Sequence, residues 1–140
     1  MGASSYFKTN YRISSFDIID WNGSQYILAG NFDNKIVLVD LSGKTVFETE
    51  INNFPLYHAP QGTSVKFLQN ENEYLAILIH SRNSIGLSQL KIISPDNKIE
   101  YQEILSATNG LLSIEGKNHN SEVLLVGNGP EKVFEYSIEN

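Results

Sequence analysis

Residues 28–39 read LAGNFDNKIVLV, and residues 125–136 read LVGNGPEKVFEY. Aligned without a gap, both give Leu-x-Gly-Asn-x-x-x-Lys followed by a β-rich run, 97 positions apart. The first copy continues through LSGKTVFETEI to Ile51, whereas the second stops at Asn140, a few residues on. Gly-Asn is turn chemistry, and the Val, Ile and Phe around it favour extended chain. A strand–turn–strand unit stated twice in 140 residues implies a repeat architecture.

Working outward, apolar residues nowhere recur at the three-four spacing of a helix, and turn-formers interrupt the chain at the short intervals of an all-β protein. Runs with strand character are 5–11, 13–20, 25–30, 35–40 and 44–51, then 63–69, 74–80, 87–94 and 98–105, then 110–116, 122–128 and 132–138. Asn22-Gly23, Ser42-Gly43, Pro95-Asp96-Asn97 and Gly129-Pro130 punctuate them.

The strands differ in texture. Tyr26–Ala29, Ile36–Val39, Leu75–Ile79 and Val123–Val126 are apolar at successive positions. Successive side chains of a strand point to opposite faces, so these strands are expected to be buried on both. Leu38 and Leu125 are the core positions expected from them. The runs 45–51 and 99–104 mix charge with apolar residues, as half-exposed outer strands do. With no helix to cover a doubly buried strand, its neighbours must be other sheets.

Blocks beginning near Ile13, Gly62 and Gly110, about 48 residues apart, each open with a mixed strand and continue into a doubly apolar pair. The run YILAGNFDNKIVLVDLSGKTVFETEI, residues 26–51, resembles one blade of the WD-repeat or PQQ-like β-propeller superfamily. The Trp-Asp and Gly-His signatures of WD repeats are absent, since Trp21 follows Asp20. The resemblance implies one all-β domain, a partial β-propeller of about three four-stranded blades. Blade one spans about 13–51, blade two about 62–105 and blade three about 110–138, the last completed by strand 5–11. Propellers have about four to eight blades, so three are expected to pair with another copy, or to dock elsewhere, through exposed terminal blade faces. The alternatives are a β-trefoil or other small β-barrel, or a plain sandwich. Trefoil strands line one barrel and should alternate, which the central runs do not.

Composition narrows the function classes. The formal charge is −6 and the ten Lys and Arg are scattered singly, which disfavours nucleic acid and anionic membrane as partners. The absence of cysteine removes disulfides, thiolate nucleophiles and cysteine-held metals. No stretch is long and apolar enough for a signal peptide core or a membrane helix, and Tyr6 breaks the myristoylation pattern, so a cytoplasmic protein is expected. The sequon Asn22-Gly23-Ser24 is then expected to stay unmodified.

No constellation for catalysis emerges. His58, His80 and His119 sit on three separate connections without ligand spacing, and Asp17 and Asp20 fall on opposite strand faces. Asp40 before Leu-Ser-Gly reads as a turn residue bonding its own backbone. Gly86–Leu90 matches only half of a nucleophile elbow, and Gly127–Pro130 is followed by no helix that would make it a phosphate cradle. No enzyme activity, cofactor or metal is therefore expected. In the propeller arrangement one loop face would gather Phe32, Asp33, Tyr57, His58, His80, Arg82 and Asn83, aromatic and polar groups suited to a protein contact. A glycan partner is the alternative, resting on Trp21 with Asn22 and Tyr26 as a stacking cluster.

Overall fold

The computed structural model describes residue 2 and residues 13–31, 35–50, 61–80, 87–106, 108–115, 121–128 and 132–137. All regular structure among them is β. The first sheet holds β1 (Ile13–Trp21), β2 (Ser24–Asn31), β3 (Lys35–Asp40) and β4 (Thr45–Glu50). The second holds β5 (Gln61–Gln69), β6 (Asn72–His80), β7 (Leu87–Ile93) and β8 (Ile99–Ser106). The third holds β9 (Thr108–Glu115), β10 (Glu122–Asn128) and β11 (Lys132–Tyr136). Each sheet is an antiparallel meander in chain order, and none closes on itself. The expected twelfth strand, 5–11, lies outside the described residues.

Turn chemistry recurs with the strands. Asn22 and Gly23 take left-handed φ of 51° and 76°, and Asn70 and Glu71 take 51° and 67°. Both pairs form the two-residue hairpin turn whose twist matches its strands. At the opposite kind of corner Gly43 N–H bonds Asp40 O at 3.0 Å, and Asn97 N–H bonds Ser94 O at 3.0 Å. Each of these turns is followed by a left-handed residue and accompanied by a register shift in its hairpin. Asp40 acts as expected: its carboxylate accepts bonds from the Ser42 hydroxyl and from the Ser42 and Lys44 N–H groups, the first being the main reason its pKa lies below the usual carboxylate range.

The second sheet is the middle layer. On β6, Leu75, Ile77 and Ile79 pack with Ile19, Trp21, Leu28, Ile36 and Leu38 of the first sheet. The alternate residues Ala76 and Leu78 pack with Phe67, Leu90, Ile92 and with Leu124 and Val126 of the third sheet. Burial on both faces, expected for 75–79, follows from having a sheet on either side. At Gly62 the approach is close, since an added Cβ would stand 3.3 Å from Leu28 Cδ2 and 3.5 Å from Ile36 Cδ1. The outer strands β4 and β8 mix exposed charge, at Glu48, Glu50 and Glu100, with apolar residues, as expected of half-exposed strands.

Two expectations fail here. Leu125 is only half-buried, on the side of β10 turned away from the second sheet, and Leu124 and Val126 are the core residues. An apolar run does not say which of its two faces meets the larger neighbour. The first sheet's outer face is also not bare throughout, because Ala29, Val37 and Val39 form a second cluster at 0–1% exposure.

Candidate functional site

Of the loop residues expected to gather on one face, Phe32, Asp33, Tyr57, His58, Arg82 and Asn83 lie outside the described residues. His80 ends β6, its backbone paired with Gln61 on one side and Ser88 on the other. Trp21 is not available for stacking on a sugar. It is 1% exposed, packs 6.0 Å from the Tyr26 ring, and donates its indole N–H to the Glu73 carbonyl at 2.9 Å. Among the described residues no group of three or more His, Asp or Glu is placed to hold a metal, and no helix is long and apolar enough to cross a membrane.

The distinctive geometry lies where sheets meet. β5 packs against β1 and β2 on one side and against β9 and β10 on the other. At the first seam Glu73, near the start of β6, accepts the Asn22 N–H on Oε1 at 2.6 Å while its carbonyl accepts from Trp21. At the second seam Glu122, which starts β10, accepts the Leu68 N–H on Oε1 at 2.9 Å while its carbonyl accepts from the Gln69 side-chain amide. The same latch thus occurs twice: a glutamate takes one backbone and one side-chain N–H from the hairpin end of the preceding sheet. Trp21 and Gln69 stand 48 positions apart, and Glu73 and Glu122 stand 49 apart. A carboxylate accepting a backbone N–H makes one of the stronger hydrogen bonds, and it also sets the height of one sheet against the next.

The rim of each seam is polar. Between the second and third sheets, Glu103 Oε2 accepts the Tyr101 hydroxyl at 2.6 Å and the Tyr136 hydroxyl at 2.8 Å. Hydrogen bonding to Glu103 raises the Tyr101 pKa, and burial followed by Glu103 raises that of Tyr136. Between the first and second sheets, Lys91 is 3% exposed and donates to Thr49 Oγ1 at 2.8 Å and Gln102 Oε1 at 3.3 Å. No carboxylate pairs with it among the described residues. Strand alternation explains this, because Thr49 points into the seam whereas Glu48 and Glu50 point to the other face of β4, toward Lys35. The buried Gln89 Oε1, on the same face of β7 as Lys91, has no hydrogen-bond partner among the described residues.

Burial without a counter-charge lowers the Lys91 pKa. The folded chain then disfavours the ammonium, and this cost is fully present below the depressed folded pKa. As pH rises through that value toward the ordinary lysine pKa, the unfolded chain binds the extra proton and folding stability increases. Wild-type stability, measured by urea unfolding, is therefore expected to gain on a Lys91→Met variant between about pH 7 and about pH 10. A difference that stays constant with pH would show that the ammonium is not penalised. The tyrosines are common to both proteins and cancel in the difference.

Between β1 and β5 runs an open cleft of about 240 Å³, lined by Ile18, Ile19, Asp20, Ser64, Lys66 and Leu75 among others. The Ser64 hydroxyl is buried without a hydrogen-bond partner among the described residues. Comparison with protein families, with curated proteins and with solved structures finds no match for this chain.

Proposed function

We propose that this chain is a non-catalytic interaction module, a partial propeller of three sheets that self-associates or docks into a larger protein assembly. Support for the propeller-type arrangement comes from three meanders of one strand order, packed first strand against first strand and joined by a repeated latch. The observation that carries the functional reading is the exposed edge and apolar face of the third sheet among the described residues. The first two sheets have four strands and the third has three, so β11 is an edge among the described residues. Val133 on that edge is 64% exposed, and the half-buried Val123 and Leu125 share its face. An unpaired edge beside an apolar face promotes association.

Light scattering on the purified chain is expected to give about twice the mass of one chain, because a two-fold pairing satisfies both ends without a growing filament. Deleting residues 1–11, which contain the run that the sequence assigns to a fourth strand of the third sheet, is expected to weaken the dimer or cause aggregation. A compact monomer that tolerates the deletion overturns the self-association reading.

A further inference from the structure

The tip of the first hairpin carries a reactive pair of residues that the latch holds closed. Asn22 is exposed, and its backbone N–H bonds Glu73 Oε1 at 2.6 Å, while its side-chain amide takes part in no hydrogen bond among the described residues. Gly23 follows at φ 76°, with nothing within 4 Å of where a Cβ would stand. An Asn-Gly pair reacts without any enzyme. The Gly23 amide nitrogen attacks Asn22 Cγ, a C–N bond forms, and the side-chain nitrogen leaves as ammonia with the amide proton. Water then opens the five-membered imide at either carbonyl, leaving aspartate or isoaspartate at position 22. The second hairpin supplies a contrast, since its Asn70, at the same φ of 51°, is followed by Glu71, whose side chain crowds the attacking nitrogen.

Both the turn and the latch oppose this step in the folded chain. Ring closure requires rotation about the Asn22 Cα–C bond, and the two-residue hairpin fixes that angle. The tip must therefore open first, and the bond from Asn22 to Glu73 holds it against opening. After the reaction the tip cannot close as before. Isoaspartate runs the backbone through an extra carbon, which spoils the register of the turn. Aspartate brings a second carboxylate beside Glu73, with Asp20 and Glu71 within two positions of the pair. Lys66 Nζ, 3.9 Å from Glu73 Oε2, balances one such charge and not several.

We propose that Asn22-Gly23 is a site of spontaneous deamidation gated by the Glu73 latch, so that an opening of the first seam becomes a permanent change. The proposal stands on the geometry of this seam and is independent of self-association. The other bond of the latch, from the Trp21 indole N–H to the Glu73 carbonyl, involves none of the reacting groups. The converted chain therefore stays folded, with the first two sheets joined by half of the original latch.

Peptide mass spectrometry on the full chain, aged at mildly alkaline pH, follows amide loss at position 22. Glu73→Ala is expected to speed that loss at least about tenfold over wild type, the factor that one charge-assisted hydrogen bond sets on the opening equilibrium. Glu73→Gln keeps an acceptor and is expected to retain most of the protection. Asn70 in the same samples is expected to keep its amide, and equal loss there overturns the assignment to Asn22-Gly23. Equal rates at position 22 in wild type and a folded Glu73→Ala chain overturn the gate. Urea unfolding of Asn22→Asp reads the same contact with Glu73 intact: the midpoint is expected to fall, and to fall less in a Glu73→Gln background. A midpoint unchanged from wild type overturns the loosening of the seam.

Discussion

Replacing Trp21 with alanine is expected to destabilise the fold by about 3–5 kcal/mol. Two losses combine. The indole is among the largest fully buried side chains, packed in the cluster that joins the first two sheets. Its N–H also satisfies the Glu73 carbonyl, and without it that acceptor is left unpaired in a partly buried place. Trp21→Phe separates the two, since it keeps most of the ring volume and removes the donor. Its cost is expected at about 1–3 kcal/mol, the range for an orphaned polar group. Urea unfolding gives both values. If Phe costs as much as Ala, the hydrogen bond rather than the packing holds that seam.

The second large effect is expected at Ile77 and Leu38, which face one another's sheets in the same cluster at 0% exposure. Ile77→Ala or Leu38→Ala is expected to cost about 2–5 kcal/mol by removing buried methyl groups from sites with little room to collapse. Leu125→Ala should cost clearly less, because that side chain is only partly buried. Glu100→Ala on the exposed strand β8 should stay within about 0.5 kcal/mol. Equal unfolding midpoints for Leu38→Ala and Leu125→Ala would contradict the layer order described above.

Much of the layering was legible because it depends on a period of two. Four successive apolar residues at 36–39 and five at 75–79 require cover on both faces, and all nine are buried. Asp40 before Leu-Ser-Gly was legible as a turn because its carboxylate bonds only groups within four residues of it. Lys91 was not legible. A lysine in LSQLKIIS reads as a solvated position until another sheet covers that face. The latch glutamates were hidden for the same reason: Glu73 and Glu122 stand at strand starts, where a carboxylate is ordinarily hydrated, and their partners lie more than fifty residues away.

The sequence by itself determined the all-β class, the turns, the repeat of about 48 residues and which strands lie at the centre of each sheet. Those features are local, set by backbone preferences, turn residues and the alternation of neighbouring side chains. Only the tertiary structure decided which face of each strand meets which sheet. That placement buries Trp21 rather than presenting it, turns Thr49 instead of Glu48 toward Lys91, and makes Leu124 rather than Leu125 the core residue of β10. A strand's pattern repeats every two residues and is the same viewed from either face. The choice between its faces is made by the neighbour packed against it, and residues distant in the chain supply that neighbour.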